Sequence, residues 1–205
     1  MRTRTGFLSE GPRVGIRHFT RQDAEEFTAL AAASRPLHAP WLFPPTDAGA
    51  YATYVDRLLG DPARHGFLVC ELTDGRIAGF ININNVVEGA FLSGTLGYGA
   101  FAPAVGRGLM SEGLALVVRH AFTRLGLHRL EANIQPRNEG SINLVRRAGF
   151  RLEGYSPDFL LIDGAWRDHE RWAITKEMTE RGAAPLPDGK PDRKPDRKRD
   201  RRSAS

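Results

Sequence analysis

The spacing of apolar residues divides the first 180 positions into alternating strands and amphipathic helices. RVGIRHF (13–19) alternates and predicts a strand. TRQDAEEFTALAAAS (20–34) predicts a helix, with Thr20 and Asp23 spaced as a capping box. RPLHAPWLFPP (35–45), crowded with proline and aromatic residues, predicts an irregular loop, after which Thr46 caps a helix running to Gly60. GFLVCEL (66–72) and RIAGFININNVV (76–87) predict two strands joined by the hairpin turn Thr73-Asp74-Gly75. FLSGTLGYGAF (91–101) predicts a strand whose three glycines point to a bulge or a close backbone approach. From Leu109, apolar residues at 114, 117, 118, 121, 122 and 125 follow the 3–4 spacing of a helix ended by Gly126. LHRLEANIQP (127–136) is a strand with Leu130, Ala132 and Ile134 on one face, and 138–150 is a short helix with Gly149 at its C-terminal end. RLEGY and DHERWAIT complete the pattern as strands, so the chain predicts a mixed α/β fold in one domain, 1–180.

Charge modifies this picture only at the end of the chain. Of the 29 Lys and Arg, eight follow Pro187 against four Asp, which accounts for +4 of the net +5 and leaves the body nearly neutral. The KPDR-type repeat lacks large apolar residues, so 181–205 is expected to be a disordered basic tail, either a solvated appendage or a weak rRNA contact. No apolar run approaches the roughly 18–20 residues that span a bilayer, and no apolar stretch follows the early arginines, so no membrane role and no signal peptide are expected. A single cysteine, Cys70 in an apolar strand, excludes an internal disulfide and reads as inert core. The expected compartment is the cytoplasm, and no metal site is expected.

Gly106-Arg107-Gly108 lies between a glycine-rich strand and a helix N-terminus, where unpaired N–H groups and the positive dipole end favour an anion. It is not a dinucleotide fingerprint, because Ser111 takes the third glycine's place, and a P-loop Lys-Ser/Thr is missing. One strand later comes Asn138-x-x-Ser141, followed by Gly149-Phe150. This order of strand, glycine turn, helix, strand and Asn-x-x-Ser helix resembles the GCN5-related N-acetyltransferases (GNAT). Their usual turn is Gln/Arg-x-x-Gly-x-Gly/Ala; here Pro103 stands first and both glycines are present. Over about residues 10–175, HAPW (38–41), GRGLMSE, HRLEANIQPRN and YSPDFLLIDGAWRDH (155–169) resemble the RimJ/RimL-type branch, which acetylates ribosomal-protein N-termini.

The resemblance implies a splayed central sheet flanked by helices, with acetyl-coenzyme A (acetyl-CoA) as co-substrate. It implies that Gly99, Ala100 and Phe101 contact the pantetheine and polarise the thioester, and that Val105, Gly106, Arg107, Gly108, Leu109 and Met110 hold the pyrophosphate. It further implies that Asn138 binds the pantetheine arm. Ser141 matches a serine placed near the thiol in relatives, to protonate or orient the leaving sulfur; its plain alternative is a helix-capping role. Several relatives carry a base at the position of Asn133, which cannot take a proton. Glu131 on the same strand face and Asp158 in the 155–169 loop are therefore candidates to act through water, or are ordinary ion-paired carboxylates. Trp41 and Tyr155 either wall the acceptor slot or merely pack, and His128 and His169 read as structural.

An α-amine with pKa near 8 costs only about 1.4 kcal/mol to deprotonate at pH 7, against roughly 4–5 for lysine, so a weak base suits an N-terminal amine. The expected function is acetyl transfer to a protein N-terminus, Ala or Ser of a ribosomal protein, by a monomer or homodimer. The alternatives are a small-amine or antibiotic acetyltransferase, and a non-catalytic ribosome- or RNA-binding assembly factor using the tail.

Overall fold

The computed structural model describes residues 6–181. An eight-stranded sheet forms its centre: β1 (Ser9–Glu10), β2 (Val14–His18), β3 (His65–Glu71), β4 (Ile77–Val87), β5 (Ser93–Ala100), β6 (Arg129–Ile134), β7 (Arg151–Ile162) and β8 (Ala165–Thr175). They lie in the order β1-β2-β3-β4-β5-β6-β8-β7. Every pairing is antiparallel except β5 with β6. A parallel pair needs a long crossover, and here it is the helix α4 (Leu109–Thr123). The remaining helices are α1 (Ala24–Ala33), α2 (Arg35–His38), α3 (Ala48–Gly60), α5 (Glu139–Arg147) and α6 (Lys176–Glu180).

Alternation along the strands sends their two faces into two cores. Ile16, Val69, Ile81, Leu96, Leu130 and Trp172 pack with Leu114, Val117 and Val145 of α4 and α5. Leu68, Cys70, Phe80 and Phe101 pack with Phe27 and Val55 of α1 and α3. At Gly113 a Cβ would come within 2.7 Å of Val69, so the missing side chain lets α4 lie close on β3. Cys70 is fully buried and burial pushes its thiol up to about 11, as an inert core residue requires.

Three expectations change. The proline-rich segment holds one helical turn, α2, because Pro36 fits the first turn, where its missing N–H is not needed. The cap of α3 is Asp47 rather than Thr46: its carboxylate accepts the Ala50 N–H at 2.9 Å. The 155–169 segment is not a loop but most of a long hairpin, β7–β8, turning at Asp163-Gly164. The basic tail expected over 181–205 lies, but for Arg181, outside the described residues.

The capping box at Thr20 carries a buried ion pair. Asp23 accepts from Arg17 at 2.8 and 2.6 Å and from the Thr20 N–H and hydroxyl at 2.9 and 2.8 Å. Burial works to raise the Asp23 pKa, but the Arg17 and Thr20 hydrogen bonds outweigh it and hold the carboxyl below its usual range.

Four histidines are shifted down as well, chiefly by burial rather than by a partner. Burial holds His38, His65, His120 and His169 below the ordinary imidazole value, and the neighbouring His18 and His65 add to the effect at His120. The unfolded chain takes up protons near pH 6.5 while the folded chain resists them, so this stability is complete above about pH 6.5 and drains away below it. The thermal midpoint is expected to fall steadily from pH 7 to pH 5. A midpoint that stays flat over that range would show that these imidazoles are not desolvated in the fold.

Candidate active site

The sheet opens where its parallel pair ends. Leu96 and Ala132 are the last partners of β5 and β6. Beyond them, Gly97–Ala100 remain paired with β4 alone, while Asn133 and Ile134 stay with β8. Phe101 N–H points to β4, donating to Ala78 O at 2.9 Å. By ladder alternation the peptide groups of Tyr98 and Ala100 therefore face the gap. His38 exploits this, donating Nε2–H to Ala100 O at 2.7 Å. A carbonyl can only accept, so the lone pair sits on Nδ1, which is buried and unpartnered. With no exposed surface on that atom, His38 acts as a clamp on the end of β5 and not as a base.

A cleft of about 750 Å³ occupies the opening, walled by α2 and Trp41 on one side and by the first turns of α4 and α5 on the other. Gly106 and Gly108, with φ of 76° and 75°, turn the chain through left-handed conformations that glycine adopts without strain. The N–H groups of Gly106, Arg107 and Gly108 meet no backbone acceptor. They stand at the N-terminal end of a 15-residue helix, which suits a phosphate.

Arg107 is not part of that cradle. Its guanidinium turns back onto Glu71, with contacts of 2.7 and 2.5 Å, and fastens the turn to β3. The other side of the turn is held by Arg13, whose Nη1 donates to Arg107 O at 2.8 Å. Arg13 is held in turn by Glu112, which accepts from the Arg13 side chain at 3.0 Å and from the backbone N–H groups of Arg13 and Val14 at 2.7 and 3.1 Å. Charge on the cleft comes instead from Arg137 and Arg147, which line it and make no ion pair among the described residues. Sequence reasoning passed over both; their places flanking the Asn-x-x-Ser helix were the available signal.

Of the other residues singled out, Trp41, Gly99, Ala100, Val105, Met110, Asn138 and Ser141 line the cleft. Phe101 and Leu109 lie beneath it in the core. The Asn138 carboxamide caps α5, accepting the Ser141 N–H at 3.2 Å. The Ser141 hydroxyl is thus not needed as a cap. Tyr98, overlooked in the sequence, lines the same wall with its hydroxyl 3.4 Å from Ser141 O; burial pushes its phenol above the ordinary value, so it stays protonated.

The structure does not bring the remaining four candidates, Glu131, Asn133, Tyr155 and Asp158, to the cleft walls. Glu131 is clamped between Arg129 at 2.9 Å and Arg171 at 3.2 Å. Tyr155 is 53% exposed on β7. Its hydroxyl meets Asp168, which also accepts the Asp158 N–H at 2.9 Å, so Tyr155 and Asp158 pin an irregularity in the hairpin. Asn133 shares a strand face with Glu131 and is the direct partner of Arg171.

A parted parallel pair over a glycine turn at a helix N-terminus defines an acyl-transferase architecture, and comparison with known proteins agrees. The acetyltransferase (GNAT) domain profile matches residues 13–151, and the chain belongs to that family. It is 33% identical over 184 residues to the probable N-acetyltransferase YjcK of Bacillus subtilis, covering 85% of this chain and all of that protein. It is 44% identical over 99 residues to the Escherichia coli ribosomal protein uS5-alanine N-acetyltransferase, spanning 48% of this chain and 51% of that enzyme. Among solved structures, Mycobacterium smegmatis RimJ in complex with CoA-disulfide superposes with a TM-score of 0.75 at 29% identity, over 83% of this chain and 90% of that one. The protein is an N-acetyltransferase of the GNAT type.

Proposed function

We propose that the enzyme transfers the acetyl group of acetyl-CoA to the N-terminal α-amine of a protein, an alanine or serine at the start of a ribosomal protein. The cleft fits the donor. The free N–H groups of Gly106–Gly108 suit the pyrophosphate, Arg137 and Arg147 the remaining phosphate charge, and the peptide group of Tyr98 with the N–H of Ala100 the pantetheine. Acetyl-CoA supplies a thioester with an activated acetyl carbon. The protein's own part is to orient that thioester on β5, exclude water with Trp41, Leu42 and α2, and pass a proton to the sulfur from Ser141 Oγ as the C–S bond breaks and the C–N bond forms, the hydroxyl recovering its proton from the newly acylated nitrogen.

One observation carries the choice of acceptor. Each carboxylate offered by sequence as a base is engaged or lies off the cleft: Glu131 holds two arginines, and Asp158 sits on the hairpin. Without a strong base, the amine must reach the cleft largely neutral, which at pH 7 favours an α-amine over lysine or a polyamine by about 3 kcal/mol. Glu139 is the sole carboxylate among the cleft-lining residues, which gives a polycation little to bind. Such an enzyme works in the cytoplasm, where ribosomal proteins are made.

The test is release of CoA thiol with an Ala-initiated peptide, beside the same peptide N-terminally blocked but containing lysine, and beside spermidine and an aminoglycoside. Turnover is expected on the free α-amine alone, rising with pH up to about 8 as the amine itself titrates. Turnover confined to spermidine or the aminoglycoside would overturn the assignment and leave the fold untouched.

A further inference from the structure

The end of β5 is held by two buried side chains, Ser34 immediately before α2 and His38 within it. Extended backbone presents its polar groups to its two edges alternately, residue by residue. Those of Phe101 turn to β4, where its N–H donates to Ala78 O at 2.9 Å. Those of Ala100 and Ala102 turn the other way, and each residue meets one of the two side chains. Ala100 O accepts from His38 Nε2–H at 2.7 Å, and Ala102 N–H donates to Ser34 Oγ at 2.9 Å. A helical hydrogen bond of 3.0 Å from His38 N–H to Ser34 O sets the two residues a turn apart on one side of their segment. Together they grip the chain on both sides of Phe101, whose ring centroid lies 5.9 Å from that of the imidazole.

His38 also carries the facing wall. Its carbonyl accepts the N–H groups of Trp41 at 2.8 Å and Leu42 at 3.0 Å. Both residues line the cleft, as His38 does itself. Leu42 closes the circuit back to β5, since a Cβ on Gly99 would stand 3.4 Å from its Cδ1. One residue thus joins the α2 wall to the strand opposite it.

The imidazole is a costly choice for this position. Its Nδ1 is one of four buried side-chain polar atoms without a hydrogen-bond partner among the described residues. Such atoms are uncommon, because an unpaired buried polar group is unfavourable. The structure accepts one where the opposite ring nitrogen supplies a donor to Ala100 O. Left open, that carbonyl would draw water into the cleft, and the strand end would be free to shift. A displacement of about 1 Å between reacting groups can lower a rate about 10²-fold.

We propose that Ser34 and His38 are positioning residues for the transfer step, holding the end of β5 in the one place from which its open N–H groups serve the thioester. The proposal rests on the placing of the acetyl-CoA thioester on β5 given above and is independent of which amine receives the acetyl group.

The test combines kcat of the full chain, calorimetric CoA binding and nitrogen NMR of the His38 ring. His38→Leu is expected to lower kcat about 10–10²-fold, with the CoA dissociation constant within about threefold of the wild type. His38→Gln, whose side-chain amide again offers an N–H to Ala100 O, is expected to recover most of that loss. Ser34→Ala removes a single hydroxyl and serves if His38→Leu does not fold; its kcat is expected to fall at least about threefold. The NMR spectrum is expected to show the proton on Nε2 and the lone pair on Nδ1. A proton on Nδ1 instead would overturn the clip outright. So would a folded His38→Leu or Ser34→Ala enzyme with wild-type kcat. Loss of CoA affinity in His38→Leu equal to its loss of kcat would make the residue a prop of the whole cleft and overturn its role in placing the thioester. The assays use whichever amine the wild type acetylates, so failure of the α-amine reading shows as a different acceptor, and failure of the clip as a retained kcat.

Discussion

Phe101→Ala is expected to destabilise the protein by about 3–5 kcal/mol, the range for deleting a fully enclosed aromatic ring. Phe101 is completely buried and packs against Phe27, Phe80 and His38, with ring centroids 5.2, 5.9 and 5.9 Å away. It stands at the junction where β5 ends and the chain runs towards the Gly106–Gly108 turn. The next N–H, that of Ala102, donates to the buried Ser34 hydroxyl at 2.9 Å. The cavity left by alanine thus adjoins the supports of both the cleft wall and the phosphate turn. Urea unfolding should show a lower midpoint with an unchanged slope, and CoA affinity should fall as well. Phe101→Leu, which keeps most of the volume, should recover the larger part of both losses. A loss below about 1 kcal/mol for the alanine variant would mean that the ring is not the keystone its burial implies.

The second large effect is catalytic. Ser141→Ala should lower kcat by about 10²–10⁴, the usual contribution of a positioned proton donor. The acetyl-CoA KM should move by less than about threefold, because a donor acting on the leaving group works in the transition state and little in binding. Stability should change little. The cap of α5 is Asn138, which takes the Ser141 N–H, and the Ser141 hydroxyl makes no bond that alanine would break. A kcat within threefold of the wild type would remove Ser141 from the chemistry. The proton would then have to come from Tyr98, which lines the same cleft and retains its proton at neutral pH.

Much of the architecture was legible because its signals are local. Alternation, apolar runs and turn residues located seven of the strands, and caps, terminal glycines and the 3–4 spacing located α1, α3, α4 and α5. Glycines at 106, 108, 126 and 149 marked turns that do carry positive φ. The one-turn α2 and the two-residue β1 are too short to show any period. Thr46 and Asp47 are both capping residues, and only the backbone course shows which one meets the Ala50 N–H. The 155–169 segment resembled a loop because Pro157 and Gly164 interrupt its alternation, yet pairing with β8 holds it extended.

The site divides along the same line. Its backbone parts, the glycine turn and the Asn-x-x-Ser helix, could be read directly, since a conformation needed by a few successive residues is written in those residues. The side-chain roles could not. Arg107 looked like a phosphate ligand until Glu71, 36 residues earlier, took its guanidinium. Glu131 read as either a base acting through water or an ion-paired carboxylate until Arg171, 40 residues later, closed on it. The amino-acid sequence by itself determined the elements and the glycine turn, which follow from short-range periodicity and turn propensity, while the class of chemistry came from the resemblance of its motifs to the GNAT family. Tertiary structure alone decided which charges are neutralised by partners, because charge pairing depends on distances of a few ångströms between residues far apart in the chain.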